Sequence, residues 1–292
     1  MTPRPELLVD PAWLDARLAD PKLCVLDCTV YMTQQPVGPS ICRSGYQNWQ
    51  AGHIPGAHYV SMIDDFSDPA GNIAYRLPAH EKVAAKLRSL GVDEDSTIVL
   101  YGADYVATVT RIFWVLRVCG ARDVRLLDGG FDRWVAEGRK VSTDPPPARQ
   151  GNFQGRYRPE YHALLADVRA ALGDPSVCLV NALTQEQFLG TGGPHYGRPG
   201  RLPRSVSLPL RSMFDPATKR FHSIERLQAL VAETGADRAP QILAYCGGGI
   251  AASGTFFVLS LLGHDNVSLY DGSLLEWSND ASLPMVVGAD KA

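Results

Sequence analysis

The sequence predicts an α/β protein built from two tandem copies of one unit, each a parallel sheet flanked by helices. Three observations carry this: ordered self-similarity, alternation of strand-like with helix-like segments, and a Pro-, Gly- and Arg-rich stretch midway. "CVLDCTV" (24–30) matches "CLVNALT" (178–184), and "GHIPGAHYVSM" (52–62) matches "GRLPRSVSLPL" (200–210). "TIVLYGADYVAT" (97–108) matches "QILAYCGGGIAAS" (241–253), and "VRLLDGGFDRW" (124–134) matches "VSLYDGSLLEW" (267–277). The offset drifts only from 154 residues (27 to 181) to 143 (134 to 277), as a duplication with altered loops requires.

Taken in order, the first unit opens with a short β-branched run at 24–30. "EKVAAKLRSLGV" (81–92) then spaces its apolar residues for a helix and finishes at a glycine. A compact apolar strand follows at 97, then a helix, "VTRIFWVLRVCG" (109–120), and a strand ending in Asp-Gly at 128–129. The second unit repeats the order, with "IERLQALVAETGA" (224–236) as its matching helix. "STDPPPARQGNFQGRYRPE" (142–160) has little periodicity and reads as a linker over the surface. The expected division is 1–145, a linker at 146–160, and 161–292.

The chain has 292 residues, 45% hydrophobic and 20% charged, enough for two cores. A net charge of −3 gives no reason to expect nucleic acid or an anionic membrane as partner. No apolar run is long enough for a membrane span, and "MTPRPELLVDPAW" has no secretory character, so a cytoplasmic location is expected. The six cysteines are scattered without a C-x-x-C pair, so neither a disulfide framework nor a metal site is expected. Cys24, Cys28 and Cys178 lie in or beside β-like runs, where reduced cysteine serves as a small hydrophobe.

Cys246 stands apart. In "LAYCGGGIAASG" (243–254) it ends an apolar run and precedes three glycines and a helix-like stretch. Gly247, Gly249 and Ala252 imitate a dinucleotide fingerprint, with Asp271 downstream. The equivalent first-half turn has no such glycines yet keeps Asp128, so Asp271 belongs to the repeated scaffold. A cysteine phosphatase needs an arginine six positions after its nucleophile, and position 252 is alanine. What remains is an activated thiolate, set against an inert cysteine in a tight turn. Glycines let successive N–H groups turn inward around an anion, and a helix N-terminus adds partial positive charge. Such surroundings bring a thiol from about 8.5 toward neutrality.

"YCGGGIAAS", the duplicated layout, "GHIPGA", "LLDGGFDRW" and "LYDGSLLEW" together resemble the two-domain rhodanese-like sulfurtransferases over residues 7–287. The resemblance implies a parallel five-stranded sheet with flanking helices in each domain, and a pocket between domains. It implies that Cys246 is the catalytic nucleophile, with the loop Gly247, Gly248, Gly249, Ile250 and Ala251 around the substrate. Cys246 would take a sulfane sulfur from a small anionic donor, thiosulfate or 3-mercaptopyruvate, and pass it to cyanide or a thiol. No metal or organic cofactor is implied. Gly102 occupies the matching place in the first half, which is expected to be catalytically silent.

Several positions depart from the family pattern. Gly248 and Ala251 stand where mercaptopyruvate-preferring members carry hydroxyls, and the uncharged loop differs from the cationic loop of thiosulfate-preferring ones. Gln187 replaces a common arginine, Asn181 an aspartate, and Tyr75 a histidine, while Asp64 keeps an acidic partner's place. The resemblance places "GTGGPHYGRPGR" at the pocket border, with a substrate arginine in it. Between Gln187 and Phe214 the chain carries Arg198, Arg201, Arg204 and Arg211 and no acidic residue. Arg198 or Arg201 is the expected partner of the donor's anionic end. A sulfur carrier or regulatory module with little turnover is the alternative function. His53 is expected to be structural, and Trp134 and Trp277 to pack their domains.

Overall fold

The computed structural model describes residues 1–71 and 73–289. Its first half contains β1 (Leu8–Val9), β2 (Leu23–Asp27), a hairpin of β3 (Val30–Thr33) and β4 (Ile41–Ser44), β5 (His58–Tyr59), β6 (Thr97–Tyr101) and β7 (Asp123–Leu127). Its second half contains β8 (His162–Ala163), β9 (Val177–Asn181), β10 (Val206–Ser207), β11 (Gln241–Tyr245) and β12 (Val267–Tyr270). Two five-stranded parallel sheets result, ordered β1-β7-β6-β2-β5 and β10-β9-β11-β12-β8. The matched strands β6 and β11 are the middle strands. Register repeats too: Asp27 pairs with Tyr101 as Asn181 pairs with Tyr245.

Strands covered on both faces need apolar residues on both, which is why these segments read as continuous apolar runs. The helices after the central strands are largely apolar and buried for the same reason, with Arg111 and Arg117 the charged exceptions in the first. Val106–Val118 and Ile250–Leu261 are almost wholly buried because each packs against its own sheet and against the other helix. Across that seam the Thr110 and Ser253 hydroxyls lie 2.9 Å apart, and Phe113 meets Phe257 edge-on at 5.0 Å. Gly254 lets Leu210 close on the second helix: a Cβ there would lie 2.3 Å from Leu210 Cδ1.

The helix expected at 109–120 begins at Val106, and no side chain caps it, so the sequence carried no start signal. Ile224–Thr234 does carry both signals. Ser223 accepts from Arg226 N at one end, and Gly235 sits at φ 76° at the other. The stretch expected as a linker over the surface is pinned to the first half by hydrogen bonds. Gly151 N, Phe153 N, Arg156 N and Arg158 N donate to the carbonyls of Arg88, Val92, Cys119 and Val118. Phe153, the apolar residue there, is 2% exposed. No helix of the described residues is long and apolar enough to cross a membrane.

Candidate active site

Cys246 follows β11, so it sits at the carboxyl end of the central strand, where open parallel sheets bind their ligands. The loop after it is held from behind by the turn following β12. Cys246 N donates to Ser273 Oγ at 3.1 Å, while Leu274 N and Leu275 N donate to the carbonyls of Cys246 and Gly247. Gly249 takes φ 78° at the helix N-cap, a left-handed conformation that favours glycine. Gly247 is required by contact rather than by φ. The Tyr196 ring lies across it, and a Cβ would fall 1.9 Å from Tyr196 Cζ. A Cβ at Gly248 would meet only the flexible end of Leu275, at 2.8 Å.

Among the described residues the N–H groups of Gly248, Gly249, Ile250 and Ala251 have no acceptor. Three of those residues, Gly248, Ile250 and Ala251, line one cleft with Cys246. Unpaired amides at a helix N-terminus attract anions, here beside the sulfur. Cys246 itself is 2% exposed and forms the floor. The second half contributes Thr184, Gln187, Tyr196 and Arg211 to the walls. The first half contributes Met32, Gln34, Ser40, Tyr75 and Tyr105. The cavity volume is about 50 Å³, several times the ~10–15 Å³ one water needs, which suits a ligand of a few heavy atoms.

The polar atoms of the cleft are mostly neutral. Burial pushes the Tyr105 phenol up to about 12, with Arg211 pulling weakly the other way. Burial raises Tyr75 and Tyr196 as well, the latter further through its proximity to Cys246. All three hydroxyls are therefore protonated at neutral pH. Tyr75 OH donates to Ser40 O at 2.8 Å, fastening the β3–β4 connection over the cleft. The same connection is tied to the second half, since Gly38 N donates to His195 O and His195 N to Pro36 O.

The expected substrate residues divide sharply. Gly248, Ile250 and Ala251 line the cleft, and so does Gln187. The Gln187 amide is spent on structure, however. Its Oε1 accepts from Thr184 N and its Nε2 donates to Pro194 O at 2.7 Å. Arg198 and Arg201 are absent from the cleft lining. Arg198 donates to the carbonyls of Ser278, Asp280 and Leu283. Arg201 is buried, donates to Gly288 O and lies over the Phe188 ring at 4.5 Å. Both guanidiniums brace the C-terminal segment, because a buried carbonyl cluster satisfies an arginine fork as an anion would. Asn181 accepts from Leu183 N below the cleft, and Asp64 is exposed and bonded to Ser61 Oγ.

His53 is fully buried, with its ring nitrogens on the carbonyls of Trp49 and Asp144 and its ring stacked on Trp49. Trp134 and Trp277 are fully buried and donate to Lys140 O and Pro284 O. Sequence reasoning missed Arg111, which is 0% exposed. From the first half it donates to Asp271 Oδ1 at 2.6 Å, Tyr75 O at 2.6 Å and Gly249 O at 3.4 Å. The signal was present as a lone charge early in "VTRIFWVLRV", where burial demands a partner. Tyr105 was missed because nothing in the chain between β6 and the helix shows which way its ring turns.

The rhodanese-like domain model matches twice, over residues 10–137 and 164–280. A probable 3-mercaptopyruvate sulfurtransferase of Pseudomonas aeruginosa is 33% identical over 287 residues, covering 94% of this chain and 96% of that protein. The sulfur carrier protein TtuD of Thermus thermophilus is 31% identical over 298 residues, covering 98% of each. Among solved structures, SseA of Escherichia coli, a 3-mercaptopyruvate sulfotransferase, superposes with a TM-score of 0.80 at 25% identity, covering 91% of this chain and 98% of that one. With two matched domains and relatives aligned end to end, this chain belongs to the rhodanese family.

Proposed function

We propose that the protein is a sulfurtransferase in which Cys246 carries the sulfur as a persulfide. The observation that supports this most is the placement of one cysteine at the floor of a small interdomain cleft, beside unpaired amides at a helix N-terminus. The Cys246 thiolate attacks the outer sulfur of a small anionic donor. With thiosulfate, the S–S bond breaks and sulfite leaves with the bonding pair. With 3-mercaptopyruvate, the C–S bond breaks and pyruvate leaves as its enolate, which takes up a proton. A thiolate or cyanide then attacks the terminal sulfur and returns Cys246 to the thiolate. The amides stabilise negative charge at the sulfur without supplying a proton, as a nucleophile of this kind requires.

The first half lends wall residues to the cleft but no nucleophile of its own. Gly102 takes the place of Cys246, and the matching hollow holds only about 20 Å³. Lys219 from the second half closes it by donating to Ala103 O. A sulfur carrier is the second reading, favoured by the end-to-end match to a protein of that name. Incubation with thiosulfate or 3-mercaptopyruvate should add one sulfur atom to the Cys246 peptide by mass spectrometry, and cyanide should remove it. Cys246→Ser should gain none. Loading without release to thiol or cyanide would mark a carrier, and no loading from either donor would sink both readings.

A further inference from the structure

With Arg198, Arg201 and Gln187 committed to main-chain partners, one cationic side chain among the described residues still lines the cleft. That side chain is Arg211. Its backbone is fixed: Leu210 N donates to Ala182 O, Met213 N donates to Leu210 O, and Ser212 Oγ donates to Pro209 O. The Leu210 side chain is seated against Gly254 of the helix that starts at the cleft floor. The Arg211 side chain is exposed and has no hydrogen-bond or ion-pair partner among the described residues. The Tyr105 hydroxyl in the same cleft is also unpartnered among the described residues and close enough to feel the guanidinium charge.

We infer that Arg211 anchors the oxyanion end of the sulfur donor, its carboxylate or sulfonate, with Tyr105 as the second hydrogen-bond donor. This deepens the sulfurtransferase reading and rests on it for the identity of the ligand. An arginine fork matches a planar or trigonal oxyanion through two parallel hydrogen bonds. Among the described residues nothing acidic lines the cleft to compete for it. The anchored end lies at the wall and the transferable sulfur at the floor, where the amides and Cys246 meet it. Arg211 on this view sets which donors bind, while the amides of Gly248 to Ala251 serve the sulfur.

The test separates charge recognition from sulfur chemistry. Cys246 is alkylated with anionic iodoacetate and with neutral iodoacetamide, each displacing iodide from carbon. The ratio of the two rate constants reads the anion preference of the cleft. Arg211→Ala should lower that ratio at least tenfold, and Arg211→Lys should fall between, because the charge survives but the fork is lost. Arg198→Ala should leave the ratio as in the wild type. An unchanged ratio in Arg211→Ala, or an equal fall with both reagents, would overturn the assignment. In turnover with each donor separately, Arg211→Ala should raise KM at least tenfold with a far smaller change in kcat. The alkylation ratio is read without any sulfur donor, so failure of sulfur transfer and failure of the anchor are distinguished.

Discussion

Asp27 and Asn181 end matching strands and do matching work, each accepting from the N–H two residues on, at Thr29 and Leu183. One is ionisable and the other is not, which makes the pair a built-in comparison. Burial pushes the Asp27 carboxyl above its ordinary 3.8, against weaker opposing pulls from hydrogen bonds to Thr29 and Tyr101. The folded state therefore holds that proton more tightly than the unfolded chain does. The resulting stability is fully present below the unfolded value and is lost as pH rises through the raised folded value. Asp27→Asn removes the titration, so its stability relative to wild type should improve between about pH 3.5 and about pH 7. Urea midpoints at the two pH values measure this, and a flat or opposite trend would refute it. At this scale the sequence was legible where chemistry is local. The glycines after Cys246 marked the turn that sets it at the end of a central strand in the cleft, and His53 was legible from a turn that needs no chemistry. Arg198, Arg201 and Arg211 share one basic stretch, and only the path of the chain from 278 to 288 decides which of them is consumed.

The central strands and their helices were read from periodicity because burial on both faces leaves an unbroken apolar run. Their partners were not, since contacts between residues more than a hundred positions apart leave no mark on local pattern. Arg111 is the clearest case. It sits in the buried helix Val106–Val118, over the Trp114 ring at 4.4 Å, and joins Tyr75 O of its own half to Gly249 O and the Asp271 carboxylate of the other. An ion pair this deep contributes little net stability, yet removing one member strands the other without solvent. Arg111→Met should therefore cost on the order of 3–5 kcal/mol, read from denaturant midpoints. Adding Asp271→Asn to that variant should recover part of the loss. A single variant as stable as wild type would show that water reaches Asp271. Because Gly249 O is among the Arg111 partners, the helix that starts beside Cys246 is positioned from the first half.

The two halves complete each other reciprocally. Leu77 N from the first half donates to Asp271 Oδ2 at 2.8 Å, and Phe221 N from the second donates to Asp128 Oδ1 at 3.1 Å. Tyr75 and Lys219, two residues before each donor, both take left-handed φ, at 63° and 57°. Tyr75 reaches into the Cys246 cleft, and Lys219 closes the matching hollow of the first half. Duplication thus preserved a crossing strap, and Gly102 shows that only one of the two hollows kept a thiol. Local strain of this kind persists where the surroundings fix it, and here the surroundings belong to the other half. The apolar interior follows the same logic, for one contiguous cluster runs from Cys24 in the first sheet through Phe113 and Phe257 to Leu283. Domains joined by polar interfaces unfold separately, whereas a shared apolar core couples them. Despite its two sheets, the chain should therefore unfold in one calorimetric transition whose van't Hoff and calorimetric enthalpies agree. Arg111→Met should move that transition to lower temperature as a whole. Two resolved transitions, or a shift confined to one of them, would show that the halves are independent and that the cleft between them is not fixed by their common core.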